Sequence, residues 1–246
     1  MKIIEIDNKL PKNIKPIKEV MSFHIPDVDI SLPNKNGFIW FICGSAGSGK
    51  SSMLINLFKN KKYFRNKFDN LFYFCPEGSF LSVKNHPFSK HDKVYHEISP
   101  EILDNISDEL IEIKNNNINE NIPQEYSAII IDDMGDRLKE ADMINSLRKH
   151  CIKSRHINCA FIFVIQGWLY LPLTLRKLVF YTTIFKPRNN VEKDLLRKEV
   201  LNMTESECND LFDYVFDEPF NFLTIDNVDG NLSKNFNKLD IEKKES

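Results

Sequence analysis

The chain alternates between short, almost wholly apolar runs and longer segments in which apolar residues recur every three or four positions. Four short, nearly continuous apolar runs are typical of strands buried in a parallel sheet. They are residues 38–43, 71–75, 127–131 and 159–165. Weaker runs at 178–185 and 221–225 predict a fifth and a sixth strand, and segments such as 138–151 have helical spacing. The pattern therefore predicts an α/β fold of three layers, α/β/α, around a mostly parallel sheet.

The same pattern predicts one main domain with two appendages. The strands and helices fill residues 38–226. Residues 1–37 are polar and contain four prolines, and we expect an N-terminal arm that packs on the sheet, with partner binding as the alternative. Residues 227–246 are polar, and we expect a frayed C-terminal tail.

Composition narrows the environment and the partners. The 246 residues have a formal net charge of −2, so any contact with nucleic acid must be local or must arise when subunits assemble. The five cysteines lack C-x-x-C spacing and read as reduced core residues of an intracellular protein. The start of the chain has no signal-peptide pattern. Polar and proline residues interrupt the longest apolar stretch, 160–175, so no membrane span is expected.

The sequence GSAGSGKS at 44–51 matches the phosphate-binding pattern G-x-x-x-x-G-K-[ST], and it lies between a predicted strand and a predicted helix. Glycines let the backbone wrap a phosphate, and the helix N-terminus adds positive partial charge. Lys50 is expected to reach the β- and γ-phosphates, and the Ser51 hydroxyl is expected to bind Mg²⁺. The predicted nucleotide-binding residues are Gly44, Ser45, Ala46, Gly47, Ser48, Gly49, Lys50, Ser51 and Ser52.

Polar residues at the ends of two later strands complete the predicted site. Asp132 and Asp133 follow three isoleucines, and Gln166 follows the run at 159–165. Sites of open α/β sheets lie at the carboxyl ends of the strands. Asp132 is then the acid that holds Mg²⁺, Asp133 polarises the attacking water, and Gln166 contacts the γ-phosphate or that water. The alternative for all three is an ordinary polar strand end.

Three ambiguities remain at this stage. The guanine-recognition pattern N-K-x-D occurs at 66–69 and 237–240, but neither copy follows a buried strand, so ATP is favoured over GTP. The basic run 59–68 is either a solvated helix end or a contact with a DNA backbone, and a second basic run, 148–156, ends the helix predicted before it. The histidines at 86, 91 and 96 do not share a helical face, which disfavours a metal site.

The order of these elements resembles that of the additional-strand class of P-loop ATPases. In that class the strand ending in Gln166 would lie in the sheet between the P-loop strand and the acid strand. The motifs GSAGSGKS, LFYFCP, AIIIDDM, SRHINCAFIFVIQGWLYLPLTLRKLVFYTTIFKPRN and FNFLTID resemble the FtsK–HerA superfamily. They are most similar to the poxvirus-type genome-packaging ATPases of large DNA viruses and virophages, over residues 38–226.

This resemblance implies a homo-oligomeric ring that uses MgATP to pump double-stranded DNA, irrespective of sequence, into a capsid. It further implies a capsid or portal partner and a place in the host cytoplasm or viral factory, with possible association with the virion. It makes Arg155 a candidate arginine finger acting on the neighbouring subunit, with Arg148 and Arg176 as rivals. Much of the superfamily has Glu where this chain has Asp133. A nucleotide-gated scaffold, or another P-loop enzyme such as a DNA helicase, stays open as an alternative.

Overall fold

The computed structural model of the chain describes residues 24–29, 31–79, 86–88 and 92–241. The strands that it contains form a single mixed sheet. They are β1 (Ile39–Cys43), β2 (Asn70–Phe74), β3 (Val94–Tyr95), β4 (Ser127–Asp132), β5 (Cys159–Ile165), β6 (Tyr181–Phe185), β7 (Phe222–Asp226), β8 (Leu232–Lys234) and β9 (Asn237–Leu239). The α-helices are α1 (Lys50–Lys59), α2 (Pro100–Asn119), α3 (Ala141–Lys153), α4 (Leu173–Arg176), α5 (Asn190–Leu196) and α6 (Glu205–Val215).

The order of the strands across the sheet is β3-β2-β4-β5-β1-β6-β7-β8-β9. Neighbouring strands are parallel from β3 to β6 and antiparallel from β6 to β9. β5 therefore lies between the acid strand β4 and the P-loop strand β1, which confirms the additional-strand prediction. The arrangement brings the ends of three site-bearing strands to one edge of the sheet.

Both faces of the sheet are covered, which confirms the three-layer prediction. In β1, Ile39 and Phe41 pack with residues of α2, α3 and α6 on one face. Trp40 and Ile42, which alternate with them, pack with residues of α1 on the other face. The central strands β1, β4 and β5 are buried along their whole length. None of the described helices has the length and apolarity that crossing a bilayer requires.

The described part of the N-terminal segment packs against the domain. Ile25 and Leu32 are buried in the core on the α1 face. The Lys35 ammonium lies 3.1 Å from an Asp226 carboxylate oxygen at the end of β7 and 2.9 Å from one of Asp229. These contacts fit the prediction of a packing arm for residues 24–37. Residues 1–23, to which the same prediction applied, lie outside the described residues.

The prediction of a frayed tail over 227–246 is wrong for its middle part. β8 and β9 form a hairpin that extends the sheet, and Leu232 is buried against β7. Asn235 and Phe236 in its turn have φ values of 51° and 67°. Left-handed φ values at both central residues fit the tight turns that join paired strands. Since Phe rarely occupies such a position and each strand has only three residues, the sequence pattern did not reveal the hairpin.

Two further elements lie in polar segments. α2 continues to Asn119 into the asparagine-rich stretch 114–123, whose composition is typical of a surface loop. Asparagine lowers the stability of a helix by only a few tenths of a kcal/mol per position, so packing contacts determine whether such a stretch is helical. Here the buried Asn117 side chain donates to the Pro123 carbonyl at 3.3 Å. The short strand β3 lies in the polar segment between β2 and α2 and pairs with β2.

Candidate nucleotide-binding site

The segment 44–51 forms a tight loop between β1 and α1. Gly47 and Gly49 have φ values of 76° and 107°, which residues with a side chain rarely adopt. Gly44 is needed for another reason, because a Cβ there would lie 2.6 Å from the Phe185 Cβ. The loop opens directly into the N-terminus of α1, where backbone N–H groups favour an anion. The geometry thus fits the predicted phosphate cradle.

Lys50 is buried at the start of α1. Its ammonium donates to the Gly44 carbonyl at 2.6 Å and to the Ser45 carbonyl at 3.0 Å. Burial lowers the pKa of Lys50, an effect that the charges of Asp132 and Asp133 oppose. The ammonium is therefore held against the loop, and a phosphate group would compete with the two carbonyls for it.

Asp132, the last residue of β4, is a buried acid with one strong hydrogen bond. Its exposed fraction is 8%, and its Oδ2 accepts from the Tyr73 hydroxyl at 2.7 Å. Burial raises the pKa of Asp132 to about 6, although the hydrogen bond from Tyr73 acts in the opposite direction. Burial disfavours the charged form of this carboxylate, and a bound cation would stabilise that form. Asp132 therefore fits the role of a Mg²⁺ ligand.

Asp133 and Gln166 are linked across the edge of the sheet. The Gln166 side-chain amide donates to Asp133 Oδ1 at 2.7 Å. Asp133 has a φ of 56°, a left-handed value that aspartate tolerates better than most residues. Its backbone N–H donates to the Val164 carbonyl at 2.9 Å, which ties this turn to β5. The exposed Asp133 carboxylate is thereby aimed toward the tip of the additional strand.

One cavity of about 460 Å³ brings together part of the predicted loop and the polar strand ends, whereas five loop residues do not line it: Gly44, Ser45, Ser48, Gly49 and Ser52. Its walls include Lys50, Ser51, Asp132, Asp133 and Gln166. The Ser51 hydroxyl and the Asp132 carboxylate are hard oxygen donors of the kind that Mg²⁺ prefers. The donor set therefore fits the expected metal, with the nucleotide phosphates as further ligands.

The cavity also contains residues that the sequence analysis did not assign to the site. They are Tyr73, Glu77, Gly78, Ser79 and His86. Tyr73 was detectable in principle, because pairing β2 with β4 places it opposite Ile130 and on the same face as Asp132. His86 carried no usable signal, since it lies in a polar segment with no clear periodicity.

The candidate arginines do not join this cavity within the same chain. Arg155 precedes β5, whose seven residues separate it from Gln166 by about 20 Å along the strand. Arg176 is tied to Glu199, with its Nε 3.0 Å from Oε2, and it donates to the Leu171 carbonyl. Arg188, which the sequence analysis did not single out, lies after β6 and lines a second cavity beside the P-loop.

The structure also bears on the discarded alternatives. Residues 66–69 lie in a turn before β2, and 237–240 begin with the outermost strand β9. Neither copy of N-K-x-D follows a strand next to β1, so the geometry gives no support to guanine recognition. Among the residues that the structure describes, no cluster of three or more His, Cys, Asp or Glu side chains could hold a metal ion. All five cysteines are buried and free.

Known proteins place this geometry in context. The family described as "Poxvirus A32 protein" matches residues 30–219. The DNA-packaging ATPase B204 from Sulfolobus turreted icosahedral virus has a similar structure, with a TM-score of 0.58 and 15% identity over 81% of this chain and 97% of that one. The genome-packaging NTPase B204 of Sulfolobus turreted icosahedral virus 2, in complex with AMPPCP, is also similar. Its TM-score is 0.54, with 14% identity over 80% of this chain and 96% of that one.

No curated protein matches the sequence. At 14–15% identity the solved structures establish a shared fold. The family match spans well over half of the sequence and includes the P-loop, both acids and Gln166. The chain therefore belongs to the poxvirus A32 protein family.

Proposed function

We propose that this protein is an ATPase that moves double-stranded DNA into a viral capsid. One observation carries the proposal: the loop lysine, the metal-binding oxygens, a second acid and a strand-tip amide line a single cavity. A protein that only bound nucleotide would not need Asp133 and Gln166 held together at that cavity. Membership of the poxvirus A32 family and the fold shared with the B204 packaging ATPases support the same function.

The residues of the cavity divide the work of phosphoryl transfer. Lys50 would neutralise phosphate charge, and Ser51 and Asp132 would hold Mg²⁺, which would supply positive charge that stabilises the transition state. Asp133 accepts a proton from the attacking water. Gln166 donates to Asp133 in this structure, and we assign it to orienting the same water. Tyr73 fixes the Asp132 carboxylate through its hydroxyl.

We assign Arg155 to the neighbouring subunit's site. The length of β5 separates Arg155 from the cavity of its own subunit, and its side chain is too short to reach a nucleotide bound there. At the opposite edge of the sheet, beside the backbone of Gly37, it can reach a neighbour in a ring. In other P-loop enzymes such an arginine stabilises the charge of the transition state and raises the rate of hydrolysis by a factor of roughly 10³–10⁵.

DNA contact is assigned to the basic run 59–68. Phe64 anchors this run in the core, and Lys59, Lys61, Lys62 and Arg65 are exposed around it. The run begins where α1 ends, about 15 Å from the P-loop. Cations of this kind bind phosphates without reading bases, as a motor must. Replacing Lys61 and Lys62 by Glu should weaken duplex binding and flatten its salt dependence, whereas the same change at the distant Lys198 should not.

The wider setting follows from the same proposal. The partners are double-stranded DNA, further copies of this chain in a ring, and a capsid or portal component. The place of action is the host cytoplasm or viral factory, and the protein can remain associated with the virion.

An ATPase assay with and without duplex DNA tests the proposal. We expect Mg²⁺-dependent hydrolysis that duplexes of unrelated sequence stimulate equally. Binding of MgATP without turnover, with or without DNA, would contradict the motor and favour a nucleotide-gated scaffold. A strong preference for one short duplex among several of equal length would contradict genome packaging.

A further inference from the structure

A second cavity of about 460 Å³ lies beside the P-loop. The loop forms one wall through Ser45, Gly47 and Ser48, and Gly47 also lines the catalytic cavity. The other walls come from residues 185–188, where β6 leads into α5, and from residues 216–221, between α6 and β7. Asp132, Asp133 and Gln166 do not line this second cavity. The two cavities thus meet at the tip of the loop and extend from it in different directions.

Three aromatic residues line the second cavity. Phe185, Phe216 and Phe220 all line it, together with Pro187. Phe220 is 68% exposed, yet its ring lies against the loop, because a Cβ at Gly49 would be 3.3 Å from its Cδ1. An exposed aromatic ring beside a phosphate cradle offers a flat apolar surface on which a base can stack.

The backbone holds Phe220 in an unusual conformation. Its φ is 68°, which is unfavourable for a bulky residue and persists only where the surroundings impose it. A polar network imposes it here. Asp217 Oδ1 accepts from the Asn221 amide and from the Lys234 ammonium, each at 2.7 Å. Asn235 in the β8–β9 turn donates to Asn221 at 2.6 Å, so the C-terminal hairpin fixes the turn that presents Phe220.

The remaining lining of the cavity is polar. Lys186 and Arg188 bring positive charges, and Asp217 and Glu218 bring negative ones. The Ser48 hydroxyl is buried beneath the loop and makes no hydrogen bond to any described residue.

We propose that this cavity binds the base and ribose of the nucleoside triphosphate, with Phe220 stacking on the base. The inference rests on the proposed function and names the part of the site that the motifs do not define. Since the γ-phosphate end belongs beside Asp132 and Gln166, a triphosphate that follows the loop leads its nucleoside past Gly47 into the second cavity. Phe220 then adds affinity for nucleotides but none for phosphate alone.

Calorimetry on the full chain separates the two contributions. The ligands are MgADP and inorganic tripolyphosphate with Mg²⁺. Phe220→Ala should weaken MgADP roughly tenfold to hundredfold, the range of base–aromatic stacking, and should change tripolyphosphate binding less than twofold. Val191→Ala is the matched control, because Val191 is 67% exposed but does not line the cavity. It should leave both affinities unchanged.

A second variant guards against loss of folding. Phe220→Gly suits a φ of 68° and should unfold at a temperature no lower than the native chain, while losing the same affinity for MgADP. Phe220→Trp should retain it. If Phe220→Gly binds MgADP as the native chain does, or if it loses both ligands equally, the stacking site is wrong although the P-loop assignment stands. If the native chain binds neither ligand, the proposed function itself fails.

Discussion

Replacing Asp132 by Asn should stabilise the nucleotide-free protein while abolishing its activity. Asp132 is 8% exposed, and burial raises its pKa from 3.8 to about 6. In the folded state the charged form is therefore disfavoured. The stability that the group contributes is fully present below pH 4 and is lost as the pH rises through 6.

The magnitude follows from the size of the shift. One pKa unit corresponds to 1.36 kcal/mol, so ionised Asp132 costs the folded state about 3 kcal/mol at pH 8. At pH 5 the cost is about half as large, because most of the folded molecules keep the proton. Asparagine has nearly the same shape, carries no charge and can still accept from the Tyr73 hydroxyl. The variant should therefore be more stable by about 3 kcal/mol at pH 8 and by about half of that at pH 5.

Urea unfolding in the presence of EDTA measures both differences. Asp133→Asn is the matched control, because it removes an exposed carboxylate one residue further along the chain. It should change the free energy of unfolding little at either pH. The reasoning is refuted if Asp132→Asn is less stable than the native chain at pH 8, or if its advantage is the same at both pH values.

The remaining predictions concern turnover. Lys50→Ala should abolish hydrolysis and greatly weaken nucleotide binding, measured by calorimetry, because it removes the charge that neutralises phosphate oxygens; native turnover would contradict the P-loop assignment. Asp133→Asn should bind MgATP but not hydrolyse it, because it lacks the base that accepts the proton of the water. If single-turnover kinetics show the native rate, Asp133 has no catalytic role and is only a polar residue at the end of a strand. Arg155→Ala should bind ATP, lose most hydrolysis, and regain part of it when mixed with Lys50→Ala subunits. Absence of that rescue at every mixing ratio, or rescue with Arg148→Ala instead, would remove Arg155 from this role.

The site residues that the sequence predicts can each be recognised from a short, continuous segment of the chain. The P-loop is one continuous segment, and Asp132, Asp133 and Gln166 each end an apolar strand. Each of them can be recognised as a polar residue at the end of an apolar run. That β5 lies between β4 and β1 followed from the resemblance to a known class, and the structure confirms it.

What the sequence did not reveal depends on contacts between distant segments. Tyr73 reaches Asp132 only because β2 pairs with β4. Phe220 lies beside the P-loop only because the β8–β9 hairpin holds its turn, and that hairpin is stabilised by sheet pairing and not by local preference. Short strands and left-handed asparagine and phenylalanine residues give no periodic signal. Such residues become visible only when the sheet is assembled.

The central claim, that ATP hydrolysis moves this protein along double-stranded DNA, is tested most directly by triplex displacement. A labelled third strand is bound to one end of a long duplex, and its release is followed after MgATP is added. We expect release that is delayed in proportion to the length of duplex before the triplex. Lys50→Ala and a non-hydrolysable ATP analogue should give none. Hydrolysis that duplex DNA stimulates without releasing the third strand would contradict the account.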